Sequence, residues 1–235
     1  MRYNRILLKL SGEQLAGDYE AGIDPKLVSW LADEVKKVSN AGCQVVIMIG
    51  GGNFVRGAQI AGHGIKRVTG DHMGMLGTMI NALALTDIFE AHGVPTRCLS
   101  NIFAEQVAEP FVHRLAGKHL EKGRVVVVAG GSGRPYVTTD TAALILALEL
   151  DCQVVLKATK VDGVYDKDPV QFKDAKKLKN ISYKNAIGGK EIGVMDKAAL
   201  GLAMEQQMPI IVFDAMQAGN TLNLVQGKNI GTKIS

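Results

Sequence analysis

Cysteine, tryptophan and long apolar runs are scarce in this chain, and each scarcity excludes something. Among 235 residues there are three cysteines and one tryptophan, and aromatics make up 5%. Cys43, Cys98 and Cys152 are odd in number and far apart. That excludes local zinc motifs, argues against a disulfide framework and suits a reducing cytoplasm. Each lies in or beside an apolar run and reads as a small core residue. No apolar stretch approaches the ~18 residues of a membrane span, and the N-terminus lacks a signal-peptide pattern, so no membrane association is expected. The net charge of +4 is modest. The densest basic stretch, Lys173 to Lys179, contains no aromatic, so no nucleic-acid partner is expected either.

Several chemistries are also missing. Neither the P-loop nor the dinucleotide-binding glycine fingerprint occurs, and there is no Gly-x-Ser-x-Gly elbow. His63, His72, His92, His113 and His119 form no metal-binding or triad arrangement and read as surface or helix-end residues. No protein-borne metal site is expected.

What is present is an alternation of β-branched runs and amphipathic segments, with 47% hydrophobic and 21% charged residues, enough to bury the core of one domain spanning residues 1–235. Arg5 to Leu10 reads as a strand. Asp24-Pro25 offers an N-cap and a first-turn proline, followed by Leu27, Leu31, Val35 and Val38 at helical spacing. Gly42 ends that helix, and Gln44 to Ile49 is the next strand. Downstream, helices are expected over Asp71–His92, Glu105–Glu121, Thr141–Leu150 and Asp196–Gln207. Strands are expected over Thr96–Leu99, Arg124–Ala129, Gln153–Lys157 and Pro209–Phe213. This order predicts a three-layer α/β/α sandwich with a mostly parallel central sheet. The stretch from Val161 to about Gly189 has no clear periodicity and is the candidate for a moving lid. The helix from Asp71 is apolar on nearly every side, so it is either deeply buried or packed on another subunit.

In such a sheet, ligands collect beyond the carboxyl ends of the strands. Four notable loops begin there. They are Lys9-Leu10-Ser11-Gly12; Gly50-Gly51-Gly52-Asn53 with Arg56 just after; Gly130-Gly131-Ser132-Gly133-Arg134-Pro135; and the loop after Lys157, which holds Asp162, Tyr165, Asp166 and Asp168. Glycines let backbone N–H groups approach an anion, a following helix adds its dipole, and arginine and lysine supply charge. Any one loop could be a plain turn, and Asp140 could simply cap its helix. Four converging on one sheet edge point to phosphate chemistry.

Lys-Leu-Ser-Gly-Glu, Gly-Gly-Gly-Asn, Gly-Asp-His-Met-Gly-Met, Thr-Thr-Asp and Leu-Lys-Ala-Thr-Lys-Val-Asp-Gly-Val-Tyr, in that order from Arg5 to Thr232, resemble the amino-acid-kinase fold family. Gly70-Asp71-His72-Met73-Gly74-Met75 narrows the resemblance to its bacterial uridylate (UMP) kinases. The resemblance implies transfer of the ATP γ-phosphoryl group to UMP, with Lys9, Asp140 and Lys157 as the catalytic set. It implies ATP contacts from Lys9, Leu10, Ser11, Gly12, Gly52, Arg56, Thr159, Tyr165 and Asp168. It implies UMP contacts from Gly51, Asp71, Ser132, Gly133, Arg134, Pro135, Tyr136, Val137, Thr138 and Thr139. Mg2+ would arrive with ATP. Such proteins are typically hexamers, many activated by GTP and inhibited by UTP, and Gly17 to Gly22 matches an effector-linked loop in some. The usual Gly-Thr-Gly-Asn-Pro-Phe-Phe loop is replaced here by Gly131-Ser132-Gly133-Arg134-Pro135-Tyr136-Val137, which leaves base recognition open. The competing readings are a relative with a carboxylate or carbamate acceptor, and a nucleotide-binding protein without turnover.

Overall fold

The β-branched runs assemble into a parallel sheet because their side chains are apolar on both faces, and only helices on both sides can cover them. In the computed structural model, which describes residues 1–19, 21–60, 64–167, 169, 171–189 and 195–235, the first half runs β1 (Arg5–Leu10), α1 (Gly12–Leu15), α2 (Pro25–Asn40), β2 (Gln44–Ile49), α3 (Gly57–Ile60), α4 (Arg67–Ala91), β3 (Thr96–Ser100), β4 (Glu109–Pro110), α5 (His113–Glu121) and β5 (Val125–Ala129). The second half runs α6 (Thr139–Glu149), β6 (Val155–Thr159), β7 (Val164–Tyr165), β8 (Lys177–Leu178), β9 (Asn180–Ile181), α7 (Tyr183–Gly188), α8 (Lys197–Gln206), β10 (Ile210–Asp214), α9 (Asn220–Val225) and β11 (Thr232–Ile234).

Among the described residues the large sheet has the order β4-β3-β5-β2-β1-β6-β10-β11-β9, and β7 and β8 form a separate hairpin. Only β11 against β10 is antiparallel in the large sheet. One face packs on α2, α4 and α9 through Leu31, Val35, Leu85, Phe89 and Leu224. The other packs on α5 to α8 through Leu120, Leu144, Leu146 and Leu200. The expected three-layer architecture is therefore present. Alternation along β1 and β6 sends Leu8, Leu10, Leu156 and Ala158 to the first face, and Leu7 and Val155 to the second. By the same period of two, Lys9 and Lys157 belong to the α6 face.

Helix α2 starts as its sequence predicts, with Asp24 Oδ1 accepting from Lys26 N at 2.9 Å and Pro25 in the first turn. Three expectations need correction. The helix foreseen from Glu105 is confined to His113–Glu121, and Glu109–Pro110 instead pairs with Leu99 and Ser100 at the sheet edge. Pro110 has no N–H for a helix interior and is tolerated on an edge strand. Helix α4 begins at Arg67, about one turn before Asp71. Strand β6 continues past Lys157 to Thr159, because Ala158 and Thr159 still pair with Phe213 and Asp214. The lid candidate carries β7, β8, β9 and α7, and β11 pairs between β10 and β9, which leaves β9 as the far edge strand. These short elements have too few residues to show a period.

All three cysteines are free and buried. Burial pushes the thiols up, to about 12 for Cys43, about 11 for Cys98 and about 12 for Cys152, so they serve as core residues. His119 sits in the last turn of α5, at a helix end as expected, and is buried there, with Nε2 3.1 Å from Glu109 and Nδ1 3.0 Å from Arg124. His63 lies outside the described residues. Among the described residues no helix is long and apolar enough to cross a membrane.

Candidate active site

Register brings the two lysines together. Lys9 and Lys157 are Cα partners on the adjacent parallel strands β1 and β6, and both side chains rise toward the first turn of α6. There Asp140 meets both: Lys9 Nζ lies 2.6 Å from its Oδ1 and Lys157 Nζ 2.6 Å from its Oδ2. The three side chains are only 9 to 13% exposed, so the cluster sits in a medium of low polarizability that strengthens each pair. Burial alone would push the Asp140 carboxyl up, but the Lys9 and Lys157 ammonium charges outweigh it and hold it below its usual range. Lys157 is pushed below the usual lysine range by the same burial, only partly countered by Asp140. Two positive groups around one carboxylate leave one charge for an incoming anion.

Asp140 does not cap its helix. Thr138 is the N-cap, with its Oγ1 accepting from Asp140 N at 3.1 Å and Thr141 N at 3.4 Å. Thr138 in turn donates to Asp196. Thr141 Oγ1 also donates to Asp196, at 2.9 and 3.0 Å from its two oxygens, while Asp196 Oδ1 accepts from Ala199 N at 2.8 Å as the N-cap of α8. One carboxylate thus ties the first turns of α6 and α8 together and fixes where Asp140 projects. The sequence reading missed Asp196 in this role. Its only signal was a carboxylate just before a helical period, which marks a cap and not a partner in another helix.

Beside the lysines lies a cleft of about 530 Å3, lined by Lys9, Ser11, Gly12, Gly51, Gly52, Arg56, Arg67, Asp71, Ser132, Val137, Thr138 and Thr139 among others. The glycine loop is held by a reciprocal amide pair. Asn53 Nδ2 donates to Asn81 Oδ1 at 2.9 Å, and Asn81 Nδ2 donates to Asn53 Oδ1 at 2.7 Å and to Gly50 O at 2.7 Å. Asn81 is fully buried within α4 and was not foreseen, because a lone asparagine in an apolar helix gives no hint of its partner. Gly51 lets the loop touch α4: a Cβ there would lie 2.5 Å from Gly74 O and 2.9 Å from Thr78 N. Gly51→Ala is therefore expected to cost about 1–3 kcal/mol of stability through overpacking, read from the shift of a urea unfolding midpoint. A midpoint equal to wild type would mean the contact has slack.

Asp71 faces this cleft in the second turn of α4. Arg67 Nε donates to its two oxygens at 2.8 and 3.0 Å, and Tyr136 N donates to Oδ2 at 2.8 Å. The Arg67 guanidinium also lies 5.3 Å from the Tyr136 ring centroid. Tyr136 adopts a left-handed backbone with φ +65°, a strained choice for a non-glycine residue that is concentrated at functional loops. Arg67 was another omission of the sequence reading. It ties Asp71 to the Ser132–Val137 loop. Arg56 forms an ion pair with Glu13 at the cleft mouth.

The remaining predicted residues are placed less centrally. Leu10 is buried in the core and so offers a ligand its backbone alone. Gly133, Arg134, Pro135 and Tyr136 belong to the loop above the cleft without lining it. Thr159 Oγ1 donates to Val161 O at 2.6 Å and to Phe213 O at 3.2 Å. Tyr165 OH donates to Asp162 Oδ1 at 2.6 Å, and Lys177 Nζ donates to Asp162 Oδ2 at 2.9 Å. The Tyr165 bond pulls the Asp162 carboxyl down and pushes the phenol up. Asp168 lies outside the described residues.

This geometry can be set beside known proteins. Residues 4–214 match the amino acid kinase family. A uridylate kinase of Dichelobacter nodosus (strain VCS1703A) is 49% identical over 231 residues, 98% of this chain and 95% of that protein. The chain belongs to the amino acid kinase family, in its uridylate kinase branch. Solved structures of this kinase's relatives agree. UMP kinase from Bacillus anthracis superposes with a TM-score of 0.95 at 36% identity, covering 100% of this chain and 97% of the other. UMP kinase from Ureaplasma parvum gives 0.92 at 32%, covering 100% of both.

Proposed function

We propose that this kinase transfers the γ-phosphoryl group of ATP to UMP and releases UDP, a step of pyrimidine nucleotide synthesis. Its uridylate kinase relatives support the reaction and the acceptor. The observation that carries the residue roles is the Lys9–Asp140–Lys157 cluster beside the glycine-lined cleft.

Phosphoryl transfer needs charge neutralisation and in-line positioning more than covalent chemistry. Lys9 and Lys157 would flank the transferred group, and Asp140 would hold both ammonium groups at fixed positions. Because these charges are set before substrate arrives, no reorganisation is needed as charge shifts in the transition state. Ser11, Gly12 and Gly52 would cradle the ATP phosphates, and Arg56 would add a bidentate donor where the two nucleotides meet. Thr159, Tyr165 and Asp168 would hold the nucleoside end of ATP. On the acceptor side Gly51, Asp71 and the Ser132–Thr139 loop would hold UMP, with Asp71 accepting from the ribose hydroxyls. The transfer is direct, with no covalent enzyme intermediate.

Mg2+ would enter this site as an ion carried by ATP. Among the described residues no group of three or more His, Cys, Asp or Glu side chains could hold a metal, and Asp140 is already engaged by two lysines. The ion would neutralise phosphate oxygens, while the protein residues orient the nucleotides.

Assembly belongs to the same reading. One stripe of α4 exposes Leu76 (55%) and Ile80 (48%), and Phe103 stands 92% exposed. Such surface supports packing on another copy, within the hexamer the resemblance implies, with GTP as activator and UTP as inhibitor. Three free buried cysteines suit a cytoplasmic enzyme.

Two measurements test these assignments. An ATP–Mg2+ transfer assay over UMP, CMP, dUMP, dTMP, acetylglutamate, glutamate, aspartate and carbamate, with and without GTP or UTP, should show strong preference for UMP. Turnover only with a carboxylate or carbamate would discard the acceptor site. Asp71→Asn should raise the KM for UMP more than that for ATP, since it weakens ground-state binding of the acceptor alone. Equal effects on both would remove Asp71 from the ribose.

A further inference from the structure

A second groove of about 540 Å3, as large as the active-site cleft, lies along the outer edge of the sheet. Its walls are the N-terminal residues Arg2 and Tyr3, the segment 228–231 between α9 and β11, strand β11, the edge strand β9, and Lys177 of the separate β7–β8 hairpin. Five cations line it: Arg2, Lys177, Lys179, Lys228 and Lys233. No carboxylate lines it among the described residues. Among the described residues Lys177 alone of the five has an acidic partner, Asp162, which lies outside the groove lining. The floor is apolar, formed by buried Tyr3, Ile211 and Leu224.

The groove is held open by backbone contacts. Arg2 N and Tyr3 N donate to Val225 O at 3.0 and 3.3 Å, tying the N-terminal residues to α9. Gly231, at φ +76°, runs so close to β10 that a Cβ would press on the backbone of Val212. Five cations with one carboxylate partner among them, gathered over an apolar floor, repel one another and concentrate the field on whatever anion enters. Lysine ammoniums and a guanidinium are the donors that grip phosphate oxygens.

We propose that this groove is a binding site for a small polyphosphate anion, of the class of a nucleotide's triphosphate tail, separate from the active-site cleft. It also reaches the ATP half of the active site. Lys177 holds Asp162, and Asp162 holds the Tyr165 hydroxyl. An anion in the groove competes with Asp162 for Lys177 and loosens that hold, so occupancy changes the KM for ATP more than that for UMP. The coupling rests on Tyr165 lying at ATP; the site itself does not.

The test fills the active site with excess non-hydrolysable ATP analogue, Mg2+ and UMP, then titrates inorganic tripolyphosphate by calorimetry at low and high salt. One binding event per chain is expected, weakening as salt rises. It should weaken about tenfold or more in Lys228→Glu/Lys233→Glu, with basal kcat and the thermal unfolding midpoint unchanged. If the charge reversal disturbs folding, Lys228→Gln/Lys233→Gln carries the same comparison. Absence of binding to the filled wild-type enzyme, or equal affinity in the folded double variant, overturns the site. A KM for ATP unmoved by tripolyphosphate, at concentrations the calorimetry shows to be saturating, overturns the coupling. The binding arm reads heat, so its failure leaves the proposed reaction standing, and a different phosphoryl acceptor leaves the wild-type and variant comparison readable.

Discussion

Lys157→Ala is expected to lower kcat by ~10²–10³, about 3–4 kcal/mol, with a much smaller change in the KM for UMP. The size follows from the position of the charge. Lys157 Nζ is held 2.6 Å from Asp140 and is only 13% exposed, so water cannot replace it when charge shifts among the phosphoryl oxygens. An alanine also leaves Lys9 alone to face that charge. Loss of kcat with retained UMP affinity marks an interaction made chiefly in the transition state. An unchanged kcat in a folded variant would remove Lys157 from the mechanism. The alkaline limb of the kcat profile should lie below the usual lysine value of about 10.4, because burial disfavours the protonated form.

Asp140→Asn should be the more damaging change, since it strikes stability as well as turnover. It leaves two ammonium groups on registered positions of adjacent strands without their shared counter-charge. Removing one partner of a buried ion pair typically costs about 3–5 kcal/mol. The pH dependence has a definite sign. Asp140 is held below its unfolded value of about 3.9, so its stabilisation is fully present above that pH and is lost as pH falls through the folded value. Asp140→Asn should remove that acid-side component from the unfolding curves. It should also move the alkaline limb of kcat further down, because Lys157 loses the charge that favoured its protonated form. Wild-type stability and an unmoved alkaline limb would together show that the lysines do not depend on Asp140.

Asp140 and Asp196 belong to one construction. Thr138 caps α6 and bonds to Asp196, so Asp140 inherits its direction from a residue 56 positions later that also starts α8. The Asn53–Asn81 pair plays the corresponding part for the glycine loop, and Arg67 for Asp71 and Tyr136.

Local chemistry made much of this legible in the chain itself. Asp24-Pro25 specified where α2 begins, and β-branched runs alternating with amphipathic helices specified a parallel sheet between two helical layers, because both depend on neighbouring residues alone. Lysines, glycines and a threonine pair at strand and helix ends marked the phosphate loops for the same reason. Edge pairing, helix capping across elements and close backbone approach depend on residues distant in sequence. Thus Pro110 ended up on a strand, the cap of α6 fell to Thr138, and Asn81 and Asp196 acquired partners that no spacing announces. Arg67 stands four residues before Asp71, a spacing that suits an ion pair on one helix face, and only its contact with Tyr136 comes from the tertiary fold. The basic groove is of this second kind: Arg2, Lys179 and Lys233 become neighbours only because β9 closes the sheet beside β11 and the N-terminal residues fold against α9.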